Sequence, residues 1–327
     1  MRVAVVGGGL FGATAAVDLH RSGANVTLYE RHDDLLMGAT RANQGRIHRG
    51  YHYPRDPNAG ELSQHADRVA ARFPGAVIRG NSHRYVIAAD SRVDAEHYRE
   101  FCASAGLRWM PATSWLVRSG TVISASEAFL DVRKARALLR RELHGVDVRC
   151  NAPTQIDRLA GSYDHVIDAT YGRYWPEPLD YEVCETALIE LPPRYRRQSF
   201  VVMDGPFISL DPHGPAHMLY DVRHSVHAVN EVPDHLSSLL DRGLVRTSHT
   251  HVDAMLDTAR RFLSHLDSPV YLGSLFTVRA VLPDDGTDAR PTLIRTDGNI
   301  TRILAGKLCT APWAAEQVAS RLAAVPV

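Results

Sequence analysis

The sequence predicts an α/β fold: a doubly wound parallel sheet with an antiparallel-sheet domain inserted into it. Three observations carry this. Residues 2–6 are apolar and β-branched, residues 10–21 repeat apolar side chains at helical spacing, and residues 26–29 are again strand-like. Strand, tight turn, helix and strand is the opening unit of a doubly wound sheet. A helical stretch at 132–143 then leads into strand-like runs at 146–150 and 165–169, a second pass through the same layer. Between residues 174 and 222, short strand-like pieces at 186–191, 200–203 and 217–222 are separated by turn signals. These include Asp204-Gly205-Pro206 and Pro212-His213-Gly214-Pro215, a pattern that suits antiparallel pairing.

The remaining elements follow in order. Gly23 ends the first helix. Residues 39–56 are polar, rich in Arg and His and poorly helical, as segments that line a site often are. Helices are expected at 59–72, 94–105 and 252–266, a strand at 85–89, another at 303–305, and a last helix at 310–324. A chain of 327 residues is too long for one small core. The expected division is 1–83, 128–176 and 276–327 for the nucleotide domain and 84–127 and 177–275 for the substrate domain.

Composition narrows the function. Lys plus Arg number 37 and Asp plus Glu number 37, so the formal charge is zero and nothing favours nucleic acid. Cys102, Cys150, Cys184 and Cys309 form no C-x-x-C pair and read as reduced thiols of a cytoplasmic protein. No run is long enough to span a membrane. The apolar N-terminus is broken by three glycines and reads as mature structure rather than an export signal.

Gly7-Gly8-Gly9-Leu10-Phe11-Gly12 is a G-x-G-x-x-G motif between a strand and a helix. Gly7 permits the turn, Gly9 lets the backbone approach a pyrophosphate, and Gly12 lets helix and strand pack. Glu30, at the end of the next strand with Arg31 beside it, is placed to accept hydrogen bonds from ribose hydroxyls. The pattern reads as a Rossmann-like dinucleotide site that disfavours a 2′-phosphate.

Three further segments carry a resemblance. Val166-Ile167-Asp168-Ala169-Thr170-Tyr171-Gly172 resembles the strand ending in Ala-Thr-x-Gly of flavoproteins with two dinucleotide-binding domains. Residues 303–311, with Gly306, Lys307, Leu308, Cys309 and Thr310, resemble the Gly-Lys-Leu-Thr-Thr segment of the glycerol-3-phosphate dehydrogenase group. Residues 41–53, including Arg41, Asn43, Gln44 and Gly45, look like a stretch of L-2-hydroxyglutarate dehydrogenases. Gln44 stands in place of a small residue there, and His52 in place of an aromatic. The chain thus resembles the FAD-dependent superfamily that includes D-amino-acid oxidase. The resemblance implies FAD, held by these segments and by the fingerprint. It also implies that the Gly306-Lys307 turn and the helix after it face the flavin pyrimidine ring, where positive charge stabilises reduced flavin.

No second glycine fingerprint occurs, so no separate NAD(P)H domain is expected. Electrons are expected to come from a small-molecule substrate and to leave to oxygen or a carrier. Arg279 resembles the family arginine that faces a substrate anion, and Arg290 is a second candidate. His48 and His52 are candidate proton acceptors and Tyr53 a further catalytic candidate. On an extended segment 48, 50 and 52 would point one way and Tyr51 and Tyr53 the other. Tyr51, Tyr220 and Arg223 are candidate substrate contacts, with His224 adjacent. His224-x-x-His227 and His249-x-His251 lack convergent ligands at a recognised spacing, so no metal is expected. Cys309 reads as a small buried residue rather than a point of covalent flavin attachment. The leading substrate is a small amino acid, amine or 2-hydroxy acid. The alternatives are a flavin-dependent monooxygenase with an external reductant and a non-catalytic FAD-binding protein.

Overall fold

A computed structural model describes residues 1–283 and 290–323. Asp288 and Ala289, which precede Arg290, and Ala324, at the expected end of the last helix, lie outside the described residues.

The first layer is a six-stranded sheet in the order Leu293–Asp297, Ile300–Leu304, His165–Asp168, Arg2–Val6, Asn25–Tyr29, Asp147–Arg149. All its pairs are parallel except the edge pair Leu293–Asp297 with Ile300–Leu304. Val3 to Val6 are buried, as a central parallel strand covered on both faces must be. The alanine-rich helices Leu10–Arg21 and Ala311–Ala323 pack together on one face through Ala13, Ala16, Ala311, Ala314 and Ala315. The helices Ala95–Ser104 and Val132–Glu142 begin at Asp94 and Asp131, whose carboxylates each accept two backbone N–H groups of the first turn.

The second layer is a nine-stranded sheet in which Asp180–Glu190 is central to one half, paired with Val226–Val229, Ala216–Asp221 and Val270–Val281. The expected antiparallel pattern holds for every pair but one. Gln198–Met203 runs parallel to Ser82–Ile87 because the chain between them crosses through the first layer. Helix Val252–Phe262 covers one face of this sheet with Met255, Leu256, Ala259 and Phe262 against Phe200, Leu210 and Leu219. The other face turns toward the first layer, and the space between them holds the site. Strand Val270–Val281, which carries Arg279, belongs to this second sheet, and the expected boundary at residue 276 falls within it.

Candidate functional site

Two cavities meet between the layers. The larger, about 580 Å³, opens at the fingerprint and is lined by Gly7, Gly9, Leu10, Phe11, Glu30 and Arg31. Gly7 has φ +105°, and a Cβ there would lie 2.5 Å from the Ala169 carbonyl oxygen, so only glycine makes this turn. Gly12 is needed for packing: its Cβ would sit 1.9 Å from the Gly7 oxygen. Gly9 differs. A Cβ there would meet only the Thr40 hydroxyl, at 3.6 Å. The open space in front of Gly9 lies at the start of helix Leu10–Arg21, where backbone N–H groups and the helix dipole favour a phosphate.

Glu30 is buried and ties this loop together. Its Oε2 accepts the Gly8 N–H at 2.6 Å and its Oε1 the His32 N–H at 2.8 Å. Arg31 pairs with Asp241 beside the cavity. Ala169 and Thr170 line the opposite wall, and the Thr170 N–H and hydroxyl donate to Asp168 Oδ1 at 2.9 and 2.6 Å. The shape, the open glycine and the carboxylate at the strand end fit a dinucleotide such as FAD.

The second cavity, about 410 Å³, is lined by His48, His52, Tyr53, Tyr220, Arg279 and Lys307 among others. Ala39, Asn43, Tyr171, Thr277, Ala305, Gly306 and Leu308 line both cavities. Burial, with Arg46, Lys307 and Arg290 nearby, holds the His48 imidazole well below its ordinary pKa, so it is neutral. Its Nδ1 lies 3.8 Å from Glu127 Oε1. The Lys307 ammonium sits 3.3 Å from the Tyr53 ring centroid. The Thr310 hydroxyl donates to the Lys307 carbonyl at 2.7 Å and fixes the turn that presents this lysine. Gln44 lines the floor and accepts the Ser209 hydroxyl at 3.0 Å.

Beneath His48 lies a buried ionic network absent from the sequence reading. Arg46 Nη1 donates to Glu127 Oε2 at 2.8 Å and to His83 Nδ1 at 3.2 Å. Its Nη2 donates to Ser199 at 2.6 Å and to Asp211. Tyr85 completes the set with a 2.8 Å bond to Glu127. Arg279 also has a partner: Nε donates to Glu182 Oε2 at 2.7 Å, and Nη2 donates to the same oxygen. Both residues sit at one register position on neighbouring strands.

Several expected contacts lie elsewhere. Tyr51 is in the core, its ring 5.8 Å from that of Tyr85 and its hydroxyl donating to the Arg108 carbonyl at 3.1 Å. The expected alternation over 48–53 does not form. The strand is only Arg46–Ile47, and Gly50 at φ +113° turns the chain so that His48, His52 and Tyr53 share one cavity. Arg223 is exposed at a turn where its N–H donates to Asp221 Oδ1, and it lines neither cavity. Arg41 packs against Gly243, and Gly45 against the Leu130 carbonyl, so neither lines a cavity. Gly172 is enclosed by Leu179, Ala280 and Leu304. Cys309 is buried, its thiol pushed up to about 12 by that burial, and Thr310 acts on the turn rather than on either cavity.

Cavity residues that the sequence did not single out include Thr40, His32, Arg92, Cys184 and Tyr171. Thr40 lies in the polar stretch already read as site-lining, and its hydroxyl accepts the Leu10 N–H at 3.2 Å.

Relatives and solved structures resemble this chain over nearly its whole length. The protein FAD-dependent monooxygenase FPY4 of Fusarium mangiferae is 25% identical, over 97% of this chain and 89% of its own. FAD-dependent monooxygenase kojA of Aspergillus flavus is 24% identical, over 97% of this chain and 85% of its own. L-alpha-glycerophosphate oxidase from Mycoplasma pneumoniae superposes with a TM-score of 0.74 at 15% identity, over 99% of this chain and 95% of its own. Glycine oxidase from Geobacillus kaustophilus gives 0.70 at 12%, over 100% of this chain and 96% of its own. At such identities these two structures speak for the fold. The family model described as FAD dependent oxidoreductase matches residues 2–297, and the chain belongs to that family of FAD-dependent enzymes.

Proposed function

We propose that this oxidoreductase removes a hydride from a carbon bonded to nitrogen or oxygen in a small carboxylate-bearing molecule, an amino acid or a 2-hydroxy acid. The observation that carries the reading is the pair of guanidiniums, Arg279 and Arg290, which line the smaller cavity and both act on Tyr171, Tyr220 and Cys184. Such a pair holds a carboxylate by charge-assisted hydrogen bonds. Glu182 orients the Arg279 guanidinium from one side. The neutral His48 imidazole, its Nδ1 toward Glu127, accepts the substrate N–H or O–H proton at Nε2. FAD, when bound, supplies the hydride acceptor. Asn43 and the turn Ala305 to Leu308, common to both cavities, set the substrate against it.

The relatives called FAD-dependent monooxygenases support a second reading, in which an external reductant reduces the flavin and oxygen is spent on the substrate. Anaerobic mixing of FAD-loaded protein with a panel of amino acids and 2-hydroxy acids separates the two. Bleaching of the yellow flavin by one of these donors without NADPH is the expected result. Bleaching by NADPH alone would reject hydride removal from the substrate.

A further inference from the structure

The far face of strand Asp180–Glu190 carries a cluster that flavin chemistry does not use. Glu185 is 0% exposed. Its Oε1 accepts from the Thr250 and Ser274 hydroxyls. Its Oε2 accepts from His227 Nε2 at 2.8 Å and from the His251 N–H at 2.9 Å. Burial pushes this carboxyl up, but the hydrogen bonds from His227, His251, Ser274 and Thr250 outweigh it and hold the group below its usual range. Four donors on its two oxygens hold it as a buried carboxylate. Among the described residues the basic side chain that reaches it is His227, and no lysine or arginine does.

Two local devices aim imidazoles at this anion. Val183 pairs with Ala228 and Cys184 with Val226, so His227 is the extra residue of a β-bulge. Bulges redirect single side chains in this way. His251 precedes helix Val252–Phe262, and its Nδ1 lies 2.9 Å from the His224 carbonyl. Nδ1 thus carries the hydrogen and Nε2 keeps its lone pair, the arrangement that orients a metal-ligating histidine. The two rings lie 3.8 Å apart at 15°. One nitrogen of each ring and one Glu185 oxygen all fall within 4.8 Å of one another.

We propose that Glu185, His227 and His251 bind one divalent first-row transition ion, in a site separate from the flavin chemistry. Two imidazoles and a carboxylate suit such an ion, and the hydroxyls on Glu185 are the outer shell that a ligating carboxylate needs. The ion takes the place of the hydrogen between His227 Nε2 and Glu185, and that proton passes to Nδ1 or to water. His251 is exposed, so its ring has room to turn out of the stack and bring its lone pair to the ion. The site joins the strand Val226–Val229, the strand Asp180–Glu190 and the start of helix Val252–Phe262. Cys184 and Thr186, on either side of Glu185, line the smaller cavity on the opposite face, so the ion stiffens its back wall. The pairs His224-x-x-His227 and His249-x-His251 each give one ligand. The carboxylate that completes them is 42 residues from His227.

The test is zinc binding by untagged, chelator-stripped, FAD-loaded protein, followed by calorimetry, elemental analysis and thermal melting. One zinc per chain and a higher melting point are expected. His251→Ala changes an exposed residue, so it should fold and keep FAD while binding zinc on the order of a hundredfold more weakly. Glu185→Gln should lose the site as well. His235→Ala with His249→Ala removes the neighbouring ring pair, 4.6 Å apart, and should leave binding intact. No stoichiometric zinc, binding unchanged in His251→Ala, or binding lost with the His235 and His249 pair would each overturn the proposal.

Discussion

Gly9 and Arg46 stand at the edges of two cavities that share a wall, and their surroundings are opposite. A side chain at Gly9 would meet one hydroxyl at 3.6 Å and otherwise open space. Arg46 is enclosed by Glu127, Asp211, Ser199 and His83, with every contact already made by protein. At Gly9 the fingerprint cavity offers backbone groups and room, so a substitution there meets a ligand before it meets the protein. The cavity beside His48 rests on the ion pairs of Arg46 with Glu127 and Asp211, which the protein forms by itself. A substitution at Gly9 should therefore act on the ligand, and one at Arg46 on the fold.

The largest effect expected from this contrast is at Gly9. Gly9→Val should fold with a nearly unchanged melting point yet purify colourless, with FAD affinity down by at least on the order of a hundredfold. Gly12→Ala, only three residues on, should damage the fold itself, because its Cβ lies 1.9 Å from the Gly7 oxygen. Flavin absorbance against protein, read beside thermal melting, distinguishes the two, and a yellow Gly9→Val protein would collapse the contrast.

Arg46→Met comes next. It leaves Glu127 and Asp211 buried without their cation, a loss of about 3–5 kcal/mol in urea denaturation. A loss under about 1 kcal/mol would mean that the network contributes little to the second layer.

The smallest effect is a pH dependence. Burial and Arg46 lower the His83 pKa from its ordinary value to about 4. A histidine with a depressed folded pKa stays neutral in the fold while the unfolded chain takes up a proton. Stability is therefore full above the unfolded pKa and falls as pH drops through it. Between about pH 7 and pH 5 the His83 share of that loss is about 2 kcal/mol. Denaturation of His83→Gln should show a shallower fall over this window, and an equal fall would assign the proton to another group.

The same contrast explains what could be read in advance. The fingerprint was legible because backbone recognition of a pyrophosphate needs glycines within one turn, so Gly7, Gly9 and Gly12 are neighbours in sequence. The network under His48 was not, since Arg46 and Asp211 lie 165 residues apart and only the paired strands bring them together. The role proposed for Arg279 rests on a local resemblance. Its engagement by Glu182 depends on the register between Asp180–Glu190 and Val270–Val281, which no local pattern encodes. The faces of residues 48–53 were misjudged because alternation assumes an extended chain, and the turn at Gly50 breaks it.

The wall common to both cavities, including Asn43, Tyr171, Gly306 and Leu308, would set cofactor and substrate against the same residues in the arrangement proposed above. Two ligands that share a surface are coupled, and the coupling is reciprocal. Whatever factor by which FAD tightens the grip on a substrate analogue, the analogue must tighten the grip on FAD by the same factor. Where that factor exceeds one, a bound analogue raises the affinity for the flavin as well as blocking its reduction, and the chain holds its prosthetic group most firmly while it is at work.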